Sequence, residues 1–133
     1  MATFIDSNVL LDLFAEDSPG QEFSRVALEL AADQGRLVIN PIVYAEISVR
    51  FESMEIVDAV LPLTVEREPI PYDAAFLAGK VYLEYRRRGG TRLSPLPDFF
   101  IGAHAAVRGY ELLTRDPVRY RSYFPRLKVI APD

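Results

Sequence analysis

What most constrains this chain is an alternation: short apolar runs that end in polar residues are separated by stretches with helical spacing. Thr3-Phe4-Ile5 stops at Asp6-Ser7-Asn8, which reads as a strand ending in a polar turn. Ser18-Pro19-Gly20-Gln21 has the form of a capping box, and Phe23, Val26, Ala27, Leu30 and Ala31 follow at helical spacing up to Gly35. Leu37-Val38-Ile39 is a second strand. Asn40-Pro41 caps a helix with Ile42, Ala45 and Val49 on its apolar positions, which puts Glu46 in the second turn. A helix is expected from Met54 to Leu61, and Glu68-Pro69-Ile70-Pro71 is at best an edge strand. Asp73 is expected to cap a long helix to about Arg88, stopped by Gly89-Gly90; Asp98 opens another that ends at Gly109. Glu111-Leu112-Leu113-Thr114 and Leu127-Lys128-Val129-Ile130 complete the strands.

Strands and helices in this order indicate an α/β fold with a mostly parallel central sheet and helices on both faces. Ligands of such sheets bind beyond the carboxyl ends of the strands. Asp6 and Asp116 follow strands, Asp98 starts a helix and Glu46 lies early in one, so four carboxylates distant in sequence are expected at one edge. The 133 residues fit one domain, residues 1–133, and half of them are apolar, enough for a core without staples. With no cysteine and a single histidine, thiolate zinc sites, disulfides and cysteine nucleophiles are excluded, and any metal must be held by oxygen. Clustered carboxylates repel one another unless they take up protons or bind cations. A hard divalent ion, magnesium or manganese, suits such ligands, and that points to phosphoryl chemistry. No apolar run is long enough to span a bilayer and the N-terminus lacks a signal-peptide layout, so a soluble, cytoplasmic protein with no membrane partner is expected.

The net charge of −4 by itself argues against a nucleic-acid partner, but it is an average over two unlike halves. Residues 1–79 carry −10 and residues 80–133 carry +6, and nearly all of the latter positive charge is arginine. Arginine's planar fork suits bidentate phosphate contacts.

Phe4-Ile5-Asp6-Ser7-Asn8, Ala45-Glu46, Pro97-Asp98-Phe99-Phe100-Ile101-Gly102-Ala103-His104-Ala105 and Leu113-Thr114-Arg115-Asp116 together resemble the motifs of PIN-domain nucleases, and most of all the VapC-type toxins of type II toxin–antitoxin pairs. The resemblance spans nearly the whole chain. It implies a PIN-like domain in which Asp6, Glu46, Asp98 and Asp116 hold Mg2+ or Mn2+, directly or through water, for hydrolysis of RNA. Asn8 and Thr114 would orient the carboxylates or a water. It also implies a homodimer and a cognate antitoxin that covers the site. Arg86, Arg87, Arg92 and Arg115 are the candidates for RNA contacts. One departure is that Pro117, Val118 and Arg119 follow Asp116, where family members often carry another acid or polar group; whether one or two metals bind stays open.

Read singly, Asp6 is a turn residue, Asp98 a helix-start acid and Asp116 part of an Asp-Pro turn. Their convergence is what would make them a site. His104, six positions after Asp98, faces elsewhere and is expected to be packed. Phe51, Met54, Ile56, Val57 and Val60 are more apolar than a surface helix needs and are expected to form a dimer or antitoxin groove. A phosphoacceptor receiver domain would need adjacent acids early and a late lysine outside a strand, and an aspartyl phosphatase would need an acid where Asn8 stands. An RNA-binding or scaffold protein with the same fold and no nuclease activity is the remaining alternative.

Overall fold

The computed structural model describes residues 1–133. Five strands, β1 (Ala2–Ile5), β2 (Arg36–Ile39), β3 (Val65–Arg67), β4 (Glu111–Leu113) and β5 (Val129–Ile130), form one sheet in the order β3-β2-β1-β4-β5, and every pairing is parallel. The central strands are apolar on both faces because both are covered: Phe4, Ile5, Val38, Ile39, Leu112 and Leu113 are inaccessible to solvent. From β1 the chain steps outward through β2 to β3, then crosses to β4 on the other side of β1 and outward again to β5. Crossovers between parallel strands are right-handed, so the two directions of travel put the connecting helices on opposite faces. The direction reverses between β1 and β4. A crevice therefore opens between their carboxyl ends.

Seven helices connect the strands: α1 (Ser7–Phe14), α2 (Gln21–Gln34), α3 (Pro41–Ser48), α4 (Met54–Val60), α5 (Tyr72–Arg87), α6 (Pro97–Arg108) and α7 (Val118–Tyr123). Several boundaries differ from the sequence expectation for local reasons. Asp6-Ser7-Asn8 is no turn: Asp6 is the N-cap of α1, its side chain accepting from the Ser7 N–H, and Val9 and Leu10 continue into the core. The expected capping box at Ser18 does not form, because the Ser18 hydroxyl donates to Asp12 and the helix begins only at Gln21, after Gly20. The edge strand is Val65–Arg67 rather than Glu68–Pro71. The Glu68 N–H still bonds Ile39 O, and Pro69, with no N–H, ends the pairing. Pro71, not Asp73, precedes α5, and the Asp73 carboxylate accepts from Ala74 N–H within the first turn. Past Asp116-Pro117, where only a turn was expected, α7 forms, with Tyr120 and Phe124 buried one turn apart. In α4 Val57 belongs to the core, whereas Met54, Ile56 and Val60 are exposed, so the apolar excess there is divided between core and surface. No helix is long and apolar enough to cross a membrane.

Candidate active site

Asp6 anchors the crevice. Its backbone continues the sheet, with Asp6 N–H bonding Leu113 O at 2.9 Å, and its side chain is 4% exposed. The two carboxylate oxygens are treated differently. Oδ2 accepts from Thr114 Oγ1 at 2.8 Å, Tyr120 Oη at 3.0 Å and Asn8 Nδ2 at 3.3 Å, whereas Oδ1 accepts a short bond from Ser7 N at 2.7 Å. Three donors exceed the two lone pairs of Oδ2, while Oδ1 takes the Ser7 N–H and a long 3.5 Å approach of the Ser7 hydroxyl.

Two small polar residues at the start of α1 tie the other acids to Asp6. Ser7 Oγ donates to Glu46 Oε1 at 2.9 Å. Asn8 spans Asp6 and β4: its amide also donates to Thr114 Oγ1 at 3.2 Å and makes a long 3.5 Å contact with Asp116 Oδ2, and its carbonyl accepts from Arg115 N–H at 3.0 Å. Thr114 Oγ1, donating to Asp6, accepts from Asp116 N–H at 3.1 Å. Asn8 and Thr114 thus both donate to the Asp6 carboxylate. Asp98 stands in the first turn of α6, behind Pro97, and its Oδ2 meets Arg119 Nη1 at 3.1 Å. Asp98 and Asp116 line one cleft of about 550 Å³, the most spacious in the molecule, together with Pro117, Val118, Arg119, Ser122 and Tyr123.

The electrostatics show that these acids feel one another. Burial pushes the Asp6 carboxyl above its ordinary range; bonds from Thr114 and Tyr120 pull it down, while the charge of Asp98 pushes it further up. Glu46 is raised by burial and by the charges of Asp6 and Asp98, against the bond from Ser7. Tyr120, 1% exposed, is displaced far upward by burial and by the same three carboxylates, so its hydroxyl stays protonated and can only donate to Asp6. Repulsion of this kind is what a divalent cation relieves, and the all-oxygen donor set suits a hard ion. No three acidic or histidine side chains are set as they stand to grip one ion directly.

The arginines expected to contact RNA do not gather at the crevice. Arg86 Nη1 donates to Arg92 O at 2.9 Å, and Arg87 projects into solvent beside Glu84, so Arg86, Arg87 and Arg92 belong to the C-terminal end of α5 and its loop. Arg115 is given over to structure: its Nε stands 2.7 Å from Asp12 Oδ2, a charge contact without hydrogen-bond alignment. His104 is fully buried. Asn40 Oδ1 accepts from Ile42 and Val43 N–H, so the Asn40 amide donates to His104 Nδ1 at 3.1 Å, leaving the Nε2–H for Glu68 at 3.0 Å. Sequence reading missed Ser7 and Tyr120 as contributors to the site. Ser7 is adjacent to Asp6 at a helix start, and Tyr120 and Phe124 carry an i,i+4 apolar signal that would have revealed α7.

The family profile of the PIN domain matches residues 3–124. The chain belongs to the PIN-domain family. No curated protein matches it by sequence. Among solved structures, VapBC2 from Rickettsia felis, bound to a DNA fragment from its promoter, superposes with a TM-score of 0.76 at 19% identity over 100% of both chains. A toxin–antitoxin complex from Klebsiella pneumoniae gives 0.70 at 25% identity over 98% of each chain. VapC20 of Mycobacterium tuberculosis, a toxin that cleaves the sarcin–ricin loop, gives 0.63 at 14% identity over 92% of this chain and 95% of that one. This PIN domain therefore has the fold of the VapC-type toxins, in a family whose members are generally nucleases.

Proposed function

We propose that this PIN domain is a divalent-metal-dependent ribonuclease, the toxin of a toxin–antitoxin pair, acting in the cytoplasm as a homodimer held in check by a cognate antitoxin. The observation that carries the reading is the gathering of Glu46, through Ser7, and Asp116, through Asn8, around Asp6, a carboxylate that is 4% exposed and has no basic side chain against it. Membership of the PIN family and the likeness to toxin–antitoxin complexes support the rest.

In this reading Asp6, Glu46, Asp98 and Asp116 would hold Mg2+ or Mn2+, with Asp6 and Asp98 foremost. Bound there, the ion supplies Lewis acidity for attack of water on a phosphodiester and charge neutralisation at the leaving oxygen. Thr114, Tyr120 and Asn8 keep Asp6 in one rotamer, as outer groups around a metal site do. Glu46 Oε1 is engaged by Ser7, so its Oε2 is the atom suited to accept the proton of the attacking water. Asp116, at the open side of the cleft, faces the incoming RNA. A binding module without hydrolytic activity is favoured by one observation, the Arg119–Asp98 pair, which occupies an acid the reaction needs.

The deciding experiment maps new RNA 5′ ends across a cell's transcripts after induction of the wild type or of the Asp6→Asn, Asp98→Asn double variant. New ends at a recurring site with the wild type alone, abolished in vitro by EDTA, are expected. Identical ends from both proteins would move the binding reading ahead.

A further inference from the structure

A site built of four acids must admit a polyanion, and the chain's candidate phosphate-binding arginines lie elsewhere. The cleft beside Asp98 and Asp116 has a single basic side chain in its wall, Arg119. Its Nη1 touches Asp98 through one contact of 3.1 Å, and both side chains are partly exposed, 47% and 32%. A pair of this kind contributes about 0–1 kcal/mol and separates readily. Arg119 has no other ion-pair partner, in contrast to Arg88, which is bound to Glu84 and Ser122, and Arg115, which is held by Asp12. Its neighbour Tyr120 is locked in the core against Asp6, so α7 holds Arg119 beside the cleft with its long side chain half exposed.

We propose that Arg119 is the phosphate-binding residue of this site: it neutralises Asp98 in the free protein and passes to a phosphate of the RNA when Asp98 is taken by a divalent cation. The inference rests on the nuclease reading and adds to it the group that admits the substrate. Its chemistry suits the exchange, since a guanidinium forms equally good forked contacts with carboxylate and phosphate oxygens. It also explains how an acidic edge tolerates RNA: one positive charge covers an acid while the site is empty of substrate, and covers the substrate's charge afterwards.

The test uses the full chain freed of any partner and compares the wild type with Arg119→Gln, Arg119→Lys and, as a control for charge alone, Arg121→Gln on the same helix. Mn2+ affinity is measured by electron paramagnetic resonance without RNA. Binding of a short dye-labelled single-stranded oligoribonucleotide of mixed sequence is measured by anisotropy across a salt series, with Ca2+ in place of the active ion. Relative to Arg121→Gln, Arg119→Gln is expected to bind Mn2+ about two- to fivefold more tightly, the range set by a half-exposed ion pair. Its salt slope for RNA should fall by about 0.7, the value of one phosphate contact on a single strand. Arg119→Lys should retain the slope. If Arg119→Gln matches Arg121→Gln in either measurement, the role given to Arg119 is wrong even where the wild type cleaves RNA. A wild type that binds neither Mn2+ nor the oligoribonucleotide would bring down the nuclease reading itself.

Discussion

Two aspartates of α1, six residues apart, are almost equally inaccessible, Asp6 at 4% and Asp12 at 3% exposed, yet their carboxyls are displaced in opposite directions. Asp12 pays some desolvation, but it accepts from Ser18 Oγ and from Ser24 Oγ at 2.7 Å and lies against the Arg115 guanidinium, and the sum holds it below the ordinary carboxylate range. It is also shallow, roofed by Arg115 rather than sunk in the protein. Asp6 is deeper, its bonds come from neutral donors, and the nearest charges, Asp98 above all, are of its own sign. Burial alone therefore does not set the direction in which a carboxyl is displaced. The surrounding groups do: Asp12 meets a guanidinium, whereas Asp6 meets the charge of Asp98.

Exchanging each aspartate for asparagine should break the pair apart most sharply. Asp6→Asn keeps one oxygen, so either the Ser7 N–H or the side-chain donors on Oδ2 must face an NH2, costing about 1–3 kcal/mol, but it relieves repulsion, so its unfolding free energy should fall by no more than about 2 kcal/mol. Its cleavage rate should fall by at least about 10²-fold, because an interaction supplying several kcal/mol of charge stabilisation is lost. Asp12→Asn should do the reverse, costing about 2–4 kcal/mol in urea unfolding while keeping metal affinity. That is the range for breaking a buried pair, reduced because Arg115 is a third exposed. If Asp12→Asn lost activity without losing stability, the division between the two acids would be wrong.

A finer change on the Asp6 side is Tyr120→Phe, which deletes one of the three donors to Oδ2 and leaves the ring packed. Metal affinity and cleavage should fall about 10- to 100-fold, as for loss of an outer group that orients a ligand. Equal losses from Tyr120→Phe and from a packing change such as Phe124→Leu would mean that the hydroxyl contributes nothing specific.

The smallest effect is graded, and acidity supplies it. Asp6 and Glu46 are raised, so protons compete with the cation above the ordinary values of 3.8 and 4.5, and Mn2+ affinity should already decline as pH falls toward those values. Asp12 is lowered. Its contribution to stability is complete above its unfolded value and is lost only as pH falls through the lower folded one, so thermal stability should outlast metal binding on acidification. Coincident loss of the two across a pH series would count against the opposite displacements.

Much of the fold was legible because the central strands are continuous apolar runs and the helices after them carry strong start and stop signals, such as Asn40-Pro41 and Gly109. The misreadings share one cause. Ser7, Ser18 and Glu68 are polar residues that look like turns or caps in sequence but are drawn by distant partners into other roles: Ser7 to Glu46, Ser18 to Asp12, Glu68 to His104 and Tyr110. α7 escaped notice because the Asp-Pro pair ahead of it reads as a turn and masks the i,i+4 signal of Tyr120 and Phe124.

By itself the sequence determined the α/β alternation and the parallel sheet, and it offered four acids, with no cysteine beside them, as the candidate site, since these follow from local periodicity and from which side chains the chain possesses. Tertiary structure alone decided how those acids differ. Only packing could place Tyr120 and Thr114 on one oxygen of Asp6, give Arg115 to Asp12 and set Arg119 on Asp98, because each pairing joins residues from 21 to 114 positions apart. Distance in the folded chain, which no local pattern encodes, sets both the burial and the charge that each carboxylate meets.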